Sequence, residues 1–391
     1  MRWGRRARGE AVMAQEHSVK AGLEDVVAGT SAICYLDGAR GVLAYQGHDI
    51  HDLAREATFE ETCHLLWHGR LPTRAELGDL QTALAAARRL PEPVLRLLRS
   101  LPPAPGMDTL RTLASALAHD DPDADDRSPQ ASYRKAVRLT GQIASLVATS
   151  GRLAAGGGAI EPDPALGHAA NFLYLLTGER PGALAARAFD IALILHADHE
   201  LNASTFAARV CAATLSDIHS AVVAAIGTLK GPLHGGANAD VMRLLLEIGE
   251  DASGERVDDA IRAKLAKKEK IPGFGHRVYR TEDPRATHLR KMSRELGEKA
   301  GHRGWYEMSR RIEERVKAEK KLNPNVDFYS ASVYYTLGIP IDLYTPIFAV
   351  SRIAGWTAHI LEQYADNRLI RPRAEYIGPP YPQPYVPLDQ R

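Results

Sequence analysis

Helix-forming segments follow one another along most of this 391-residue chain, and they constrain its fold more than any other feature. Thr58 precedes an apolar segment, 60–67, as an N-cap residue would, and Thr73 with Glu76 has the spacing of a capping box. The other segments with helical periodicity are 80–90, 133–150, 165–177, 183–196, 205–216 and 217–228. The pattern predicts a mainly α fold.

Strand signals are confined to the N-terminal region. They are 31–36 and 41–45, and Asp37-Gly38 between them is typical of a hairpin turn. We therefore expect one short N-terminal β-hairpin beside an otherwise helical array. The chain is too long for one small core, and the strongly charged segment 249–321 predicts a second, smaller domain.

Charge and cysteine content exclude several classes of protein. The formal net charge is only +1, so no general attraction to nucleic acid or to an anionic membrane is expected. The three cysteines, Cys34, Cys63 and Cys211, are scattered, which predicts a reducing cytoplasmic location and no disulfide framework. No apolar run approaches the ~20 residues that are needed to cross a bilayer.

Both ends of the chain have unusual compositions. The first residues are basic but have no apolar core, so no signal peptide is predicted there. We expect residues 1–14 to be a disordered extension, and Met13 is an alternative start to Met1. The proline-rich tail from Arg371 onward predicts an extended arm that packs on a partner surface.

His196 and His199 stand three residues apart, on one face of a predicted helix, where a zinc site has to be considered. Neither zincin pattern is present, and no third potential ligand stands nearby at a spacing typical of zinc sites, so no metal site is predicted. Two other interpretations remain open. The pair contains a core histidine with a satisfied hydrogen bond, or His199 contacts a substrate.

Three further titratable residues, His234, His276 and Asp327, stand in segments rich in glycine, proline or asparagine. Such segments favour turns and loops, where side chains can converge on a ligand. Two histidines and a carboxylate can move protons at neutral pH while polarising carbonyl oxygens, so an enzyme is indicated. For His234 alone, a histidine that caps a helix in a tight turn is an equally good interpretation.

Anionic ligands are indicated at two places. The glycine-rich turn 271–275 stands between Lys270 and Arg280, which suits phosphates or a nucleotide base, although it matches neither a Walker loop nor the dinucleotide fingerprint. Arg352 stands in an apolar stretch and therefore needs an anionic partner. That partner is either a protein carboxylate in a buried ion pair or a carboxylate of a substrate.

Taken in order, five segments of the chain resemble citrate synthase, and the likeness runs from about Gly22 to the C-terminus. The segments are 196–205 (HADHELNAST), 231–238 (GPLHGGAN), 272–279 (PGFGHRVY) with Asp283-Pro-Arg285, 325–327 (NVD) and 350–352 (VSR). The resemblance implies a two-domain citrate synthase-like fold and a homodimer. Its large helical domain would be residues 15–230 and 339–391, and its smaller helical domain residues 231–338.

The resemblance also implies a role for each candidate residue. His234 would hydrogen-bond the acetyl-CoA carbonyl and its enol, His276 would polarise the keto oxygen of oxaloacetate, and Asp327 would be the general base. The implied oxaloacetate contacts are His199, Arg285, Arg352 and, from across the dimer interface, Arg371. The implied coenzyme A contacts are Ile271, Pro272, Gly273, Phe274, Gly275 and Arg280. No permanently bound cofactor is implied, because the coenzyme A thioester is a substrate.

The implied reaction joins acetyl-CoA to oxaloacetate and hydrolyses citryl-CoA to citrate and CoA, the entry to the tricarboxylic acid cycle. Two alternatives stay open: 2-methylcitrate synthase, which uses propionyl-CoA with the same catalytic set, and a non-catalytic homologue that binds acyl-CoA or carboxylates. The chain departs from the family pattern at Ala44 and Gln46, where bacterial relatives commonly carry arginines, so two positive charges are absent.

Overall fold

The computed structural model describes residues 20–23 and 26–391. The expected extension, residues 1–14, lies outside the described residues, as do both candidate start residues. The described residues form two compact units: Ser31–Ile370, and a unit that contains Arg371–Arg391 with the described residues before Ser31. In this second unit the regular structure is limited, among the described residues, to the short 3-10 helices Ala21–Leu23 and Leu388–Gln390.

The unit Ser31–Ile370 is mainly α, as predicted, with sixteen α-helices and one three-stranded antiparallel sheet among its residues. The strands are β1 (Cys34–Asp37), β2 (Val42–Tyr45) and β3 (His48–Asp49). The helices are α1 (Ile50–Glu56), α2 (Phe59–His68), α3 (Arg74–Ala87), α4 (Glu92–Ser100), α5 (Gly106–Ala116), α6 (Pro129–Ala154), α7 (His168–Thr177), α8 (Ala183–His196), α9 (Ala203–Ala213), α10 (Ile218–Leu229), α11 (Ala237–Ile248), α12 (Gly254–Ala266), α13 (Pro284–Ala300), α14 (Arg303–Lys320), α15 (Val326–Thr336) and α16 (Tyr344–Ala365). Within the described residues, no helix has the length and apolar character that a membrane span requires.

The predicted helix starts are confirmed where the caps were recognised. Thr58 and Thr73 each form a complete capping box, at α2 and α3. The predicted helix 183–196 has the bounds of α8. Helix α6 extends beyond its predicted segment 133–150 at both ends, because Ser128 caps it and Pro129 occupies its first turn, where a missing N–H costs no hydrogen bond.

The predicted hairpin is present, and a third strand joins it. Strand β1 pairs with β2 in the register Cys34 to Tyr45, and β2 pairs in turn with β3. Two residues are too short a segment to give a strand signal, so β3 was not predicted. Ala44, one of the two positions where an arginine was expected, is buried in β2 opposite Asp49.

Helix α16 passes through the core and brings its residues close to the connection between α8 and α9. Ile353, Trp356 and Ile360 on α16 are fully buried. At Gly355 an added Cβ would lie 2.3 Å from the carbonyl oxygen of Ala197, so only glycine permits this approach. The close packing holds the buried residues of α16 against the residues that follow α8.

Helices α13 and α15 form a second close pair. The hydroxyls of Ser293 on α13 and Ser332 on α15 lie 2.7 Å apart and are both buried. Arg290 on α13 binds Glu313 on α14, and Glu313 in turn accepts a hydrogen bond from Tyr329 on α15. This buried polar network fixes α15, whose first turn carries Asp327.

Candidate active site

His196 and His199 face different surroundings although they are close in sequence. His196 is buried at the end of α8, and its Nδ1 lies 2.7 Å from the carbonyl oxygen of Ala192. Burial lowers the pKa of His196 to about 3, so it is a neutral core histidine, one of the two interpretations that the sequence left open. Among the described residues no group of His, Cys, Asp and Glu is arranged to hold a metal ion.

His199 belongs to a cluster of three aromatic rings. Its Nε2 lies 3.3 Å from the hydroxyl of Tyr279, and its ring centroid lies 5.2 Å from that of His276. Burial lowers the pKa of His199 well below its usual value, and the positive charge of Arg285 lowers it further. The second predicted histidine is therefore neutral and lies beside His276.

His276 is held in one tautomer by the backbone that follows it. Its Nδ1 accepts hydrogen bonds from the backbone N–H groups of Val278, at 3.0 Å, and Tyr279, at 3.1 Å. Because Nδ1 is an acceptor, the ring proton of the neutral imidazole is on Nε2. Burial, followed by the charge of Arg285, lowers the pKa of His276 to about 4. His276 is thus a neutral donor through Nε2 at physiological pH.

His234 is held in the opposite tautomer. Its Nε2 accepts a hydrogen bond from the backbone N–H of Ser204 at 3.2 Å and lies 2.8 Å from the hydroxyl of the same residue. The proton of the neutral ring is therefore on Nδ1. Burial, followed by the charge of Arg352, lowers the pKa of His234 to about 4. The residue does not cap α11, whose N-cap Gly236 has no side-chain hydrogen bond, but it does accept a backbone N–H in the first turn of α9, so the capping interpretation holds for a different helix.

Ser204 is itself fixed by two neighbours. Its hydroxyl lies 2.8 Å from both Oδ1 of Asn202 and Nε2 of His234, and it can donate its single proton to either acceptor while it accepts from Nε1 of the fully buried Trp356 at 3.1 Å. Asn202 also caps α9, so the start of this helix and α16 jointly determine where Ser204 lies. The position of the His234 ring is therefore set by the packing of two helices.

Asp327 is a half-buried carboxylate whose side chain has no hydrogen-bond partner among the described residues. Its removal from water raises its pKa to about 6; Arg285 and Arg352 oppose that rise, and Asp283 adds to it. Both arginines also act on the pKa of His199. These shared electrostatic effects indicate that the carboxylate, the histidine and the two arginines lie in one region.

Arg285 is anchored by Asp283. Two parallel hydrogen bonds join them, Nε to Oδ1 at 2.9 Å and Nη2 to Oδ2 at 2.7 Å, and both residues are buried. Asp283 also accepts from the backbone N–H of Val326 at 3.1 Å. Burial alone would raise the pKa of Asp283, but the charge and hydrogen bonds of Arg285 hold it below its usual value. The pair thus connects the first turns of α13 and α15.

Arg352 has no protein carboxylate within ion-pair distance among the described residues. Its Nε donates to the carbonyl oxygen of His196 at 2.7 Å, and its guanidinium carbon lies 4.8 Å from the ring centre of Phe348. Its Nη2 is buried and has no partner among the residues that the structure describes. Burial lowers the pKa of Arg352. Of the two interpretations that the sequence allowed, the geometry favours a ligand carboxylate.

The glycine-rich turn 271–275 packs against the segment that starts α15. Gly273 and Gly275 both have positive φ, and a Cβ at Gly273 would lie 2.9 Å from Cα of Phe328. Asn325 joins the two segments, because its Nδ2 donates to the carbonyl of Gly275 at 2.9 Å and its Oδ1 accepts from the N–H of Asp327 at 3.0 Å. A ligand on this turn would therefore lie close to the start of α15.

The remaining predicted site residues range from buried to exposed. Arg280 is exposed, and its backbone N–H donates to the carbonyl of Gly38 in the β1–β2 turn at 2.8 Å. Ile271 is buried, whereas Pro272 and Phe274 are half-buried. Arg371 is exposed and belongs to the second compact unit.

Sequence reasoning missed three residues that shape the site: Ser204, Tyr279 and Asp283. All three stand inside segments that were singled out, but none is a histidine or arginine with a conspicuous neighbour. The proximity of Ser204 to His234 depends on residues 30 positions apart. Only Asp283 gives a local signal. It is followed by Pro284, the first residue of α13, and aspartate followed by proline is typical of a helix start.

Comparison with known proteins identifies the family. The family model described as "Citrate synthase, C-terminal domain" matches residues 22–373. The chain is 55% identical to "Citrate synthase 2" of Bacillus subtilis, over 95% of this chain and 98% of that protein. It is 52% identical to "Citrate synthase" of Haloferax volcanii, with 95% and 99% covered. A second Bacillus subtilis relative, "Citrate/2-methylcitrate synthase", is 44% identical, with 94% and 99% covered.

Solved structures agree with the sequence comparisons. The citrate synthase of Pyrobaculum aerophilum superposes with a TM-score of 0.88 at 42% identity and covers 95% of each chain. The Thermoplasma acidophilum citrate synthase in ternary complex with carboxymethyl coenzyme A and oxaloacetate superposes with a TM-score of 0.87 at 33% identity, with 95% and 98% covered. This chain belongs to the citrate synthase family of transferases.

Proposed function

We propose that this chain condenses acetyl-CoA with oxaloacetate and hydrolyses the citryl-CoA so formed to citrate and CoA, at the entry to the tricarboxylic acid cycle. One observation carries the proposal. His234 and His276 are neutral donors through opposite ring nitrogens, and a carboxylate of raised pKa, Asp327, lies in the same electrostatic environment. Two donors aimed at two different oxygens, together with one base, are what a carbon–carbon condensation of two carbonyl compounds requires.

The first step is removal of a proton from the methyl group of acetyl-CoA by Asp327. A methyl group beside a thioester is a very weak acid, so the charge that develops on the thioester oxygen has to be stabilised as it forms. His234 supplies this stabilisation through Nδ1–H, in the manner of an oxyanion hole, since its Nε2 is occupied by Ser204.

The second step joins the two substrates. The enol carbon attacks the keto carbon of oxaloacetate, and Nε2–H of His276 polarises the keto oxygen, because its Nδ1 is occupied by backbone donors. His199, Arg285 and Arg352 bind the acceptor, and Arg371 joins them from a second copy of the chain. Correct orientation of two reactants can lower a barrier by about 7–11 kcal/mol. Water then cleaves the thioester of citryl-CoA.

We further propose a homodimer of chains that each contain a large domain, residues 15–230 and 339–391, and a small domain, residues 231–338. His199 and Arg352 would come from the large domain, whereas His234, His276 and Asp327 would come from the small one. A site divided in this way is completed when the domains close, and closure after oxaloacetate binds would protect acetyl-CoA from hydrolysis. The C-terminal arm with Arg371 would pack on the partner subunit, and a cytoplasmic location agrees with three free cysteines.

Coenzyme A is proposed to bind along the turn of Ile271, Pro272, Gly273, Phe274 and Gly275, with Arg280 near its phosphates. Glycine at positions 273 and 275 leaves this turn without side chains there, and an added Cβ at Gly275 would meet only Leu322, at 3.8 Å, so a flat ring can approach the backbone at that position. The CoA thioester is a substrate here, and no permanently bound cofactor or metal ion takes part in the proposed steps.

The test is a thiol-release assay with oxaloacetate and either acetyl-CoA or propionyl-CoA. We expect the higher kcat/KM with acetyl-CoA. The second candidate function, 2-methylcitrate synthesis, is favoured by the relative named "Citrate/2-methylcitrate synthase". One methylene changes binding by only about 1–3 kcal/mol, so some activity with both substrates is expected. A tenfold preference for propionyl-CoA would establish the second candidate, and no thiol release with either would establish a non-catalytic binding protein.

A further inference from the structure

A small polar cavity lies at the end of α3, and it shares no lining residue with the candidate active site. Its volume is about 130 Å³, and its walls come from the α3–α4 connection, α4, α6, α7 and residues 159–162. This is several times the space that one water needs, so the cavity can hold a few waters or one small polyatomic ion. Seven polar side chains line the cavity and decide which of these it fits: Arg88, Arg89, Glu92, Arg99, Ser145, Thr149 and Glu161.

Arg88 is a buried cation that, among the described residues, has no carboxylate in ion-pair contact; Glu60 and Asp163 act on it from a greater distance. It is only 2% exposed, and its Nη1 donates to the carbonyl oxygen of Leu166 at 2.7 Å. Its Nε is buried and has no hydrogen-bond partner, and no carboxylate lies within ion-pair distance of it, among the described residues. A buried guanidinium with unused donors is strongly unfavourable unless an anion compensates it.

Two hydroxyls on α6 line the same cavity. Ser145 and Thr149 stand one helical turn apart and are 1% and 5% exposed, and the buried Oγ of Ser145 has no partner within the described part of the chain. Gly141, one turn before Ser145, lets α3 approach closely, since an added Cβ there would lie 3.0 Å from Cβ of Ala87. This close packing places Arg88 beside the hydroxyls.

Two more arginines stand at the rim, in loose ion pairs. Arg89 lies 3.7 Å from Glu161 and Arg99 lies 3.5 Å from Glu92, and all four side chains are at least half exposed. Pairs of this kind contribute little to stability, so either arginine can turn toward an anion at small cost. The cavity lining therefore presents three arginines against two glutamates, with the unpaired arginine at the buried end.

We propose that this cavity is a binding site for one small oxyanion, held by the guanidinium of Arg88 and the hydroxyls of Ser145 and Thr149 and enclosed by Arg89 and Arg99. An oxyanion supplies acceptors to Nε of Arg88 and to Oγ of Ser145 at once, and it adds a negative charge in contact with a cation whose acidic neighbours, Glu60 and Asp163, act on it only from beyond ion-pair distance. The site is separate from the proposed catalytic residues, so it does not depend on the proposed reaction. Phosphate and small carboxylates share this chemistry, and the experiment distinguishes them.

The experiment is a calorimetric titration of the full-length protein with inorganic phosphate, sulfate or acetate, at constant ionic strength in a buffer without small oxyanions. Saturating CoA is present, so that phosphate cannot occupy the phosphate positions of the substrate. We expect one anion per chain. Tighter binding of phosphate and sulfate than of acetate assigns the site to tetrahedral oxyanions, and the reverse order assigns it to carboxylates.

Variants connect the binding to the cavity. Arg88→Met removes the charge while keeping much of the volume and should weaken binding by about tenfold or more, and Ser145→Ala should weaken it by a smaller factor. Arg96→Met is the matched control for the rim variant Arg99→Met, because both arginines are exposed on α4 but Arg96 does not line the cavity. Should Arg88→Met fail to fold, Ser145→Ala and the rim variant Arg99→Met still test the site. Absence of binding, or binding that none of these variants weakens, would overturn the proposal.

Discussion

The backbone N–H of Ser204 lies 3.2 Å from Nε2 of His234, and this contact decides which nitrogen of the ring can donate. A backbone N–H can only donate, so Nε2 is the acceptor and the proton of the neutral ring is on Nδ1. The same argument applied to His276, whose Nδ1 receives two backbone N–H groups, puts its proton on Nε2. The chain thus fixes two neutral imidazoles as donors, and it does so with main-chain N–H groups that only a substitution to proline would remove.

Ser204→Ala tests the contribution of the hydroxyl. The backbone N–H remains, so the tautomer of His234 is retained, but the ring and Nε1 of Trp356 each lose a partner at the hydroxyl. Loss of one neutral hydrogen bond corresponds to about 1 kcal/mol, and we expect kcat to fall by roughly fivefold to tenfold with little change in KM for oxaloacetate. Steady-state thiol release with acetyl-CoA measures both constants.

Ser150→Ala is the matched control for this substitution. Ser150 lies on α6, and its hydroxyl donates only to the carbonyl of Val147 in the same helix, at 2.9 Å. It should leave kcat unchanged. If Ser204→Ala lowered the melting temperature but not kcat, the hydroxyl would have a role in packing around Trp356 and not in positioning His234.

Asp327→Asn tests the general base. The amide has nearly the shape of the carboxylate but cannot accept the methyl proton, so kcat should fall by about 10²–10⁴. Binding of oxaloacetate, which the arginines and His199 are proposed to hold, should change little. Calorimetric titration of oxaloacetate and a thiol-release assay, performed on the same preparation, separate the two effects.

A structural role for Asp327 would give a different result. Burial raises the folded-state pKa of Asp327 above its unfolded value, so the folded state binds more protons between the two values. The charged carboxylate therefore disfavours folding at neutral pH, and Asp327→Asn should melt no lower than the wild-type chain at pH 7.5. Asp240→Asn, at an exposed aspartate on α11, is the control. A lower melting temperature accompanied by loss of oxaloacetate binding would contradict the assignment of the base.

The pH profile of kcat/KM should show a single acidic limb near pH 6. Asp327 acts as a base only when it is ionised, and its pKa is raised to about 6, so activity falls about tenfold per pH unit below that value. His234 and His276 have pKa values of about 4 and stay neutral throughout this range. The profile should be measured from pH 5 to 9. If kcat/KM fell by about a hundredfold per pH unit on the acidic limb, a histidine would be titrating together with Asp327.

The parts of the fold that follow from local chemistry were predictable from the sequence. Thr58 as an N-cap and the capping box of Thr73 predicted the starts of α2 and α3, and the two strand segments on either side of Asp37-Gly38 predicted the hairpin. Where a local signal was weak, prediction failed: β3 has only two residues, and α6 begins at a proline that also fits a loop.

The residues of the candidate site were predictable from the sequence, but the hydrogen bonds between them were not. Turn-forming neighbours marked His234 and His276 as residues able to reach a ligand, and an apolar setting marked Arg352 as a cation in need of a partner. The tautomers were not predictable, because they depend on contacts such as that of Ser204 with His234, which pairs residues 30 positions apart. The pairing of Arg352 with the carbonyl of His196 spans 156 positions and needs the packing of α8 on α16.

Arg352→Met tests whether the unpaired arginine on α16 binds a carboxylate of the substrate. No protein carboxylate pairs with it among the described residues, so an apolar replacement should keep or raise the melting temperature of the ligand-free protein. The same change should weaken oxaloacetate binding by about 10–100-fold, since a charge-assisted hydrogen bond is lost, and should abolish most of the thermal stabilisation that oxaloacetate gives.

Arg209→Met is the matched control: Arg209 is also buried but is paired with Glu362, so its loss should lower the melting temperature and spare oxaloacetate binding. If Arg352→Met instead behaved like Arg209→Met, the guanidinium would serve the fold, and the carboxylate of oxaloacetate would have to be bound elsewhere.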